Sequence, residues 1–143
     1  MIPMRMLALV AALLTLAGSM TFAQGSEEAA VKATIETFIR GFNKGDLNVM
    51  LAQLSDDAKV YSRVAQSQVS KEKYAEITAD VLKKGDVISV DVRDMNVTMA
   101  SPSRATVNAS VYMVTRTSRP SGRAEYQLEK RDGRWLIVET MPK

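Results

Sequence analysis

The sequence of 143 residues contains no cysteine and no histidine. Without cysteine there is no disulfide scaffold and no thiolate metal site, and without histidine there is no imidazole ligand. Together the two absences exclude a Cys or His nucleophile or base. We therefore predict neither a metal nor a cofactor. The remaining composition, with 46% hydrophobic and 24% charged residues, is that of an ordinary globular protein.

The first 23 residues differ from the rest of the chain. Arg5 is their only charged residue, and an apolar to weakly polar run covers residues 6–18. This run is too short to span a bilayer, and the small residue Ala23 suits signal peptidase. We predict a signal peptide over residues 1–23, cleavage before Gln24, and a periplasmic or secreted protein. A retained membrane anchor is the alternative.

Residues 24–143 carry little net charge. The whole chain has a formal charge of +3, and Arg5 lies in the predicted leader, so the remainder carries +2. Nucleic-acid binders normally show a concentrated basic stripe, which this mixed charge does not provide. We predict one domain over residues 24–143, with no nucleic-acid partner and no membrane contact after signal cleavage.

The first half of this domain shows the spacing of helices. Ser26 is a candidate N-cap for a helix over residues 26–43, and Asp46 is a candidate N-cap for a second, short helix. A third helix is predicted to begin after Ser70 and to end at Gly85. The apolar residues that recur at helical spacing are Val31, Ile35, Phe38, Ile39 and Phe42, then Leu47, Met50, Leu51 and Leu54, then Tyr74, Ile77, Val81 and Leu82.

From residue 86 onward the hydrophobic period changes from that of helices to that of strands. The alternating apolar residues have even numbers up to Val92 and odd numbers from Met95 onward. This change of face predicts a β-bulge or bend at Arg93 and Asp94. A long half-buried strand follows over residues 105–113. Further predicted features are a turn at 101–103, a loop at 118–122, a tight hairpin at 131–133, a last strand through Trp135, a turn at Asp56 and Asp57, and a short strand over 59–63. The layout predicts the α+β class.

Three stretches carry a resemblance to a known family: FIRGFNKGDLN at residues 38–48, LSDDAKV at 54–60 and YQLEKRDGRWLI at 126–137. They resemble the nuclear transport factor 2-like family, which includes ketosteroid isomerase and the polyketide cyclases. The resemblance implies a cone-shaped, cystatin-like fold in which three N-terminal helices pack on a curved antiparallel sheet around a pocket. Such folds host unrelated functions, so it implies no single activity.

The chemistry of the isomerase is a specific test of the resemblance. Its helix tyrosine falls on Phe38 and its catalytic base falls on Ser62, neither of which fills the role. Cyclases and dehydratases of the family generally use a histidine or an aspartate. The possible substitutes for an acid or base are Tyr61, Tyr112, Tyr126 and Glu125, and an enzyme would use Tyr61, Tyr112 or Glu125 in this role. Strand alternation places Tyr112 opposite Val111 and Met113, and Glu125 opposite Tyr126, so at most some of these residues can face a pocket together.

We therefore expect a non-catalytic, exported domain that binds a small apolar molecule or a protein partner as a homodimer, formed through the outer face of the sheet. The alternative is a small enzyme of isomerase, cyclase or dehydratase type that uses Tyr or Glu groups. The aromatic residues and methionines at these positions either fill the core or line a ligand pocket. The predicted pocket residues are Phe38, Phe42, Tyr61, Met113, Tyr126 and Trp135. A basic loop with Arg116, Arg119 and Arg123 is either a solvated loop or a site for an anionic ligand or an acidic partner.

Overall fold

A computed structural model describes residues 25–143 of the chain. The predicted signal peptide and its cleavage site lie outside the described residues. The helices in the described part are α1 over residues 25–43, α2 (Leu47–Ala52) and α3 (Lys71–Lys84). The strands are β1 (Leu54–Ser62), β2 (Ser67–Ser70), β3 (Val87–Ser101), β4 (Arg104–Thr115), β5 (Ser121–Arg131) and β6 (Arg134–Pro142). The predicted number of helices in the whole chain stays a prediction.

The six strands form one sheet in the order β2-β1-β6-β5-β4-β3. β1 and β6 run parallel, and the other neighbouring pairs are antiparallel. The helices pack on one face of this curved sheet, which confirms the α+β class. No helix within residues 25–143 is both long enough and apolar enough to cross a membrane.

The core lies between α1 and the inner face of the sheet. Val31 and Ile35 on α1 have no exposed surface, and Val107 and Ala109 on β4 have none either. Residues four apart lie on the same face of a helix, and residues two apart lie on the same face of a strand. One face of α1 therefore packs against one face of the sheet.

The predicted irregularities in the sheet are confirmed. The β3–β4 register shifts between Arg93 and Asn96, and Asp94 has a φ of 54°. Asp132 and Gly133 both have positive φ in the β5–β6 turn, as a two-residue hairpin of the primed type requires. Each of these features changes or fixes which residues face the helices.

The predicted cap of α2 and the predicted bounds of α3 are confirmed, and the predicted cap of α1 is wrong. Asp46 Oδ1 accepts a hydrogen bond from the Val49 N–H at 3.2 Å, and Ser70 caps α3, which ends at Gly85. Residue 25 is already helical, so Ser26 lies inside α1 rather than before it.

The predicted turn at Asp56 and Asp57 is also wrong, because both residues lie within β1. Leu54 pairs with Ile137 in the parallel β1–β6 ladder, so β1 begins five residues before the expected position. Asp57 Oδ1 accepts a hydrogen bond from Arg131 Nη1 at 2.8 Å, and this bond holds the pKa of the Asp57 carboxyl down at about 2. Long-range pairing has overridden the local turn preference of the two aspartates.

Polar side chains attach both ends of α1 to the sheet. Near its start, the Glu27 carboxylate accepts hydrogen bonds from Trp135 Nε1 and Lys130 Nζ, both at 2.6 Å. At its end, Asn43 donates to the carbonyl of Val90 and accepts from the N–H of Val90, both at 2.8 Å. The helix therefore has a fixed position relative to β3, β5 and β6.

The bonds to Glu27 predict a pH-dependent stability. Hydrogen bonds from Lys130 and Trp135 lower the pKa of Glu27 below 4.5. Because the pKa of Glu27 is lower in the folded protein, the Glu27 carboxylate stabilises the fold at pH values above its unfolded pKa near 4.5. This stabilisation is lost as the pH falls through the pKa of Glu27 in the folded protein. We expect Glu27→Gln to lower the urea midpoint at pH 7 and to differ less from the wild type at pH 3.

Glu28→Gln is the matched control, since it removes the same charge one residue along α1. Glu28 makes no hydrogen bond or ion pair to another described residue. Urea midpoints that change equally in both variants at pH 7 would contradict the role given to Glu27.

Gly41 allows α1 to approach α2 closely. A Cβ on Gly41 would lie 2.9 Å from Met50 Cγ and 3.0 Å from Met50 N. We expect Gly41→Ala to lower the free energy of unfolding by about 1–3 kcal/mol, although alanine favours helix. In the same helix, a Cβ on Gly25 would meet no atom of the described residues within 4 Å, so Gly25→Ala should cause no loss. Denaturant unfolding of both variants measures this, and equal stability of the two would contradict the contact.

Candidate functional site

A cavity of about 640 Å³ lies between α1, α3 and the inner face of the sheet. Phe38, Ile39 and Phe42 of α1 form one wall, and Val111 and Met113 of β4 belong to the opposite one. α3 closes another side with Tyr74, Ile77, Thr78 and Val81. The walls are mainly apolar because the cavity adjoins the apolar stripes of both helices.

The cavity opens to solvent beside the turn between β1 and β2. Arg63, Val64 and Gln66 in this turn line the cavity and are exposed, and the side chain of Val64 is 69% exposed. An exposed valine beside an apolar cavity extends the apolar surface from the interior to the mouth.

Five of the six predicted pocket residues line the cavity: Phe38, Phe42, Tyr61, Met113 and Tyr126. Their role in binding stays a prediction. Trp135 does not line the cavity, and this is a correction. It lies near the start of β6 beside Glu27, whereas the lining part of β6 is at Thr140 to Pro142. Trp135 therefore fills the core at the opposite end of the strand.

The three candidate catalytic residues are not brought together. Tyr61 lines the cavity, whereas Tyr112 is 39% exposed and has the Arg93 guanidinium carbon 4.7 Å from its ring centroid. Glu125 lies outside the cavity and forms an ion pair with Lys143 at 3.8 Å. Tyr112 and Glu125 face away from the cavity because Val111, Met113 and Tyr126 face into it.

Tyr74 is a lining residue that the sequence did not assign to the pocket. Its ring stacks on Phe38, with centroids 6.2 Å apart and planes at 25°. Helical spacing placed Tyr74 on the apolar face of α3, but it did not show which element that face meets.

The two inner phenols are neutral at physiological pH. Burial raises the pKa of Tyr74 to about 12, and the Thr78 hydroxyl opposes this shift. Burial and the neighbouring Tyr74 raise the pKa of Tyr126 further. Both phenols can donate a hydrogen bond to a ligand, but they are poor bases at neutral pH.

No carboxylate is found among the described residues that line the cavity, and Arg63 and Arg123 are the charged ones. Within residues 25–143, no group of three or more acidic side chains is placed to hold a metal ion. An acid–base reaction here would have to use tyrosine.

Two of the three arginines of the predicted basic loop bind different partners. Arg116 Nε donates to the Gly85 carbonyl at 3.3 Å, and Arg123 Nη1 donates to Ser110 Oγ at 3.1 Å. Ser110 lies between two inward residues of β4, so this bond holds the Arg123 guanidinium on the outer face. Arg119 is exposed in the loop. The arrangement does not gather the three cations at one point.

A family model described as the SnoaL-like domain matches residues 31–140. No curated protein matches the chain. Similar solved structures include a nuclear transport factor 2-like protein of Pseudomonas putida, with a TM-score of 0.73 and 14% identity, covering 83% of this chain and 87% of that one. Another, from Shewanella oneidensis, has a TM-score of 0.71 and 14% identity, with coverages of 81% and 98%. Both are of unknown function.

A third similar structure is a protein of Novosphingobium aromaticivorans that is provisionally named as a scytalone dehydratase. It has a TM-score of 0.67 and 16% identity, and the alignment covers 86% of this chain and 88% of that one. At these identities the similarity concerns the fold.

Proposed function

The chain belongs to the SnoaL-like domain family of the nuclear transport factor 2-like superfamily, and from this premise we propose that it binds a small, mainly apolar molecule without catalysing a reaction. The observation that carries the proposal is the cavity of about 640 Å³. Sites for small molecules commonly have volumes of about 300–1,000 Å³ and apolar walls with few polar groups.

The polar groups of the cavity suit binding better than catalysis. The phenols of Tyr74 and Tyr126 can donate hydrogen bonds to a ligand, but they hold their protons firmly. Neither Tyr112 nor Glu125 reaches the cavity. Of the three candidate catalytic residues only Tyr61 lines the cavity, and the described lining holds no carboxylate to act as the base that isomerisation or dehydration normally needs.

Filling the cavity should abolish binding. Ala124 is a small, partly buried lining residue of β5, so Ala124→Trp would place an indole in the space that a ligand needs. We expect Nile red, a neutral apolar dye, to gain fluorescence with the wild type and to lose essentially all of this gain with Ala124→Trp.

The matched control is Ala100→Trp, the same substitution at an exposed position of β3 that does not line the cavity. It should bind the dye as the wild type does, and circular dichroism checks that both variants fold. Equal fluorescence with the two variants would show that the dye binds elsewhere and would contradict the proposal.

We also propose that the protein is exported after removal of residues 1–23 and forms a homodimer through the outer face of its sheet. Leu136 and Val138 are partly exposed, whereas Trp135 and Ile137, which alternate with them along β6, are buried. We therefore assign Leu136 and Val138 to the outer face of the sheet. A second copy would cover them. Native mass spectrometry of the exported protein should give twice the mass of residues 24–143. The mass of a monomer would contradict the homodimer. A chain that still contains residues 1–23 would contradict the removal of the signal peptide.

A further inference from the structure

We propose that the cavity selects apolar molecules that carry a terminal carboxylate, and that Arg63 binds this carboxylate at the cavity mouth. This inference rests on the proposed function, because it assigns a chemical class to the ligand of the same cavity. It adds a residue, Arg63, that the sequence did not single out.

The charges around the cavity favour an anion over a cation. Arg63 is exposed at the mouth, and no aspartate or glutamate is among the lining residues that the structure describes. A carboxylate would meet no like charge there, whereas an ammonium group would meet no opposite charge. The lining therefore discriminates between two ligands that differ only in the sign of their head group.

Arg63 has donors to spare for a ligand. Other arginines of the chain bind carboxylates, for example Arg93 with Asp91 at 2.7 Å and Arg131 with Asp57 at 2.8 Å. Among the described residues, the Arg63 side chain makes one hydrogen bond, from Nη1 to Met113 Sδ at 3.4 Å. A thioether sulfur is a weak acceptor, and a guanidinium has five N–H donors in a planar fork.

The contact with Met113 also fixes where the guanidinium lies. Met113 is a lining residue of β4, so a donor bonded to its sulfur lies at the edge of the cavity rather than away in solvent. A carboxylate bound there remains next to water and avoids the large cost of burying a charge. Its apolar chain would extend past Val64 towards Phe38 and Phe42.

The deeper part of the cavity does not suit the charged end of such a ligand. Tyr126 is only 5% exposed, and the burial that keeps its phenol neutral would disfavour a carboxylate in the same surroundings. The two ends of the cavity therefore differ in polarity, and this difference orients an amphipathic molecule.

Decanoate and decanol test the inference, because they share one chain length and differ in the head group. In isothermal titrations at pH 8 and about 0.1 M salt, where the screening length is about 10 Å, the wild type should bind decanoate about tenfold more tightly than decanol, as a charge-assisted hydrogen bond would provide. Arg63→Gln should bring the two affinities together by weakening decanoate, and Arg63→Lys should keep part of the preference.

Arg104→Gln is the matched control. Arg104 is exposed at the other end of β4, nine residues from Met113 and so about 30 Å away, well beyond the screening length in salt. The Arg104→Gln substitution removes one positive charge without changing a residue of the cavity, so it should leave the preference for decanoate unchanged.

The outcomes separate the two proposals. Equal binding of both ligands to the wild type, or an unchanged preference in a folded Arg63→Gln variant, would overturn the carboxylate site and leave the apolar cavity standing. An equal loss of preference in Arg104→Gln would also overturn it, because net charge would then explain the effect. Failure of both ligands to bind would overturn the proposed function itself.

Discussion

The alternation of side chains along β4 and β5 decides which residues form the core, which line the cavity and which face outward. Val107 and Tyr126 oppose each other on the inner face, while Thr106 and Gln127 are hydrogen-bonded at 2.9 Å on the outer one. A shift of the ladder by one residue would exchange the two faces. The core, the cavity walls and the outward position of Glu125 all follow from this one register.

The two ends of the helix–sheet layer differ in how completely the space between helix and sheet is filled. Where α1 begins, Glu27 holds Trp135 and Lys130, and the space is filled. Towards the other end of the strands, the space between α1, α3 and the inner face of the sheet is not filled, and small residues such as Ala124 line it. Because Glu27 and Asn43 attach both ends of α1 to the sheet, the helix keeps its position without side chains that fill this space, as the proposed binding of a ligand requires.

Local patterns in the sequence predicted the features that depend on neighbouring residues. The cap at Asp46, the bulge at Asp94 and the outward position of Tyr112 each follow from a few adjacent side chains. Contacts between distant residues could not be predicted in this way. The ladder that draws Asp57 into β1 and the bond between Glu27 and Trp135, 108 residues apart, depend on the assembled fold. The same holds for Tyr74 and Arg63, whose place at the cavity depends on elements that local spacing does not relate.

We propose that the inner phenols and the apolar helix face enclose a space that an apolar molecule can enter. A crystal structure of the protein under xenon pressure tests this directly, since xenon binds in apolar cavities without requiring any polar contact. We expect a xenon atom near Phe38 and Tyr126, with the surrounding side chains unmoved. Side chains that close the space and leave no xenon density there would contradict it.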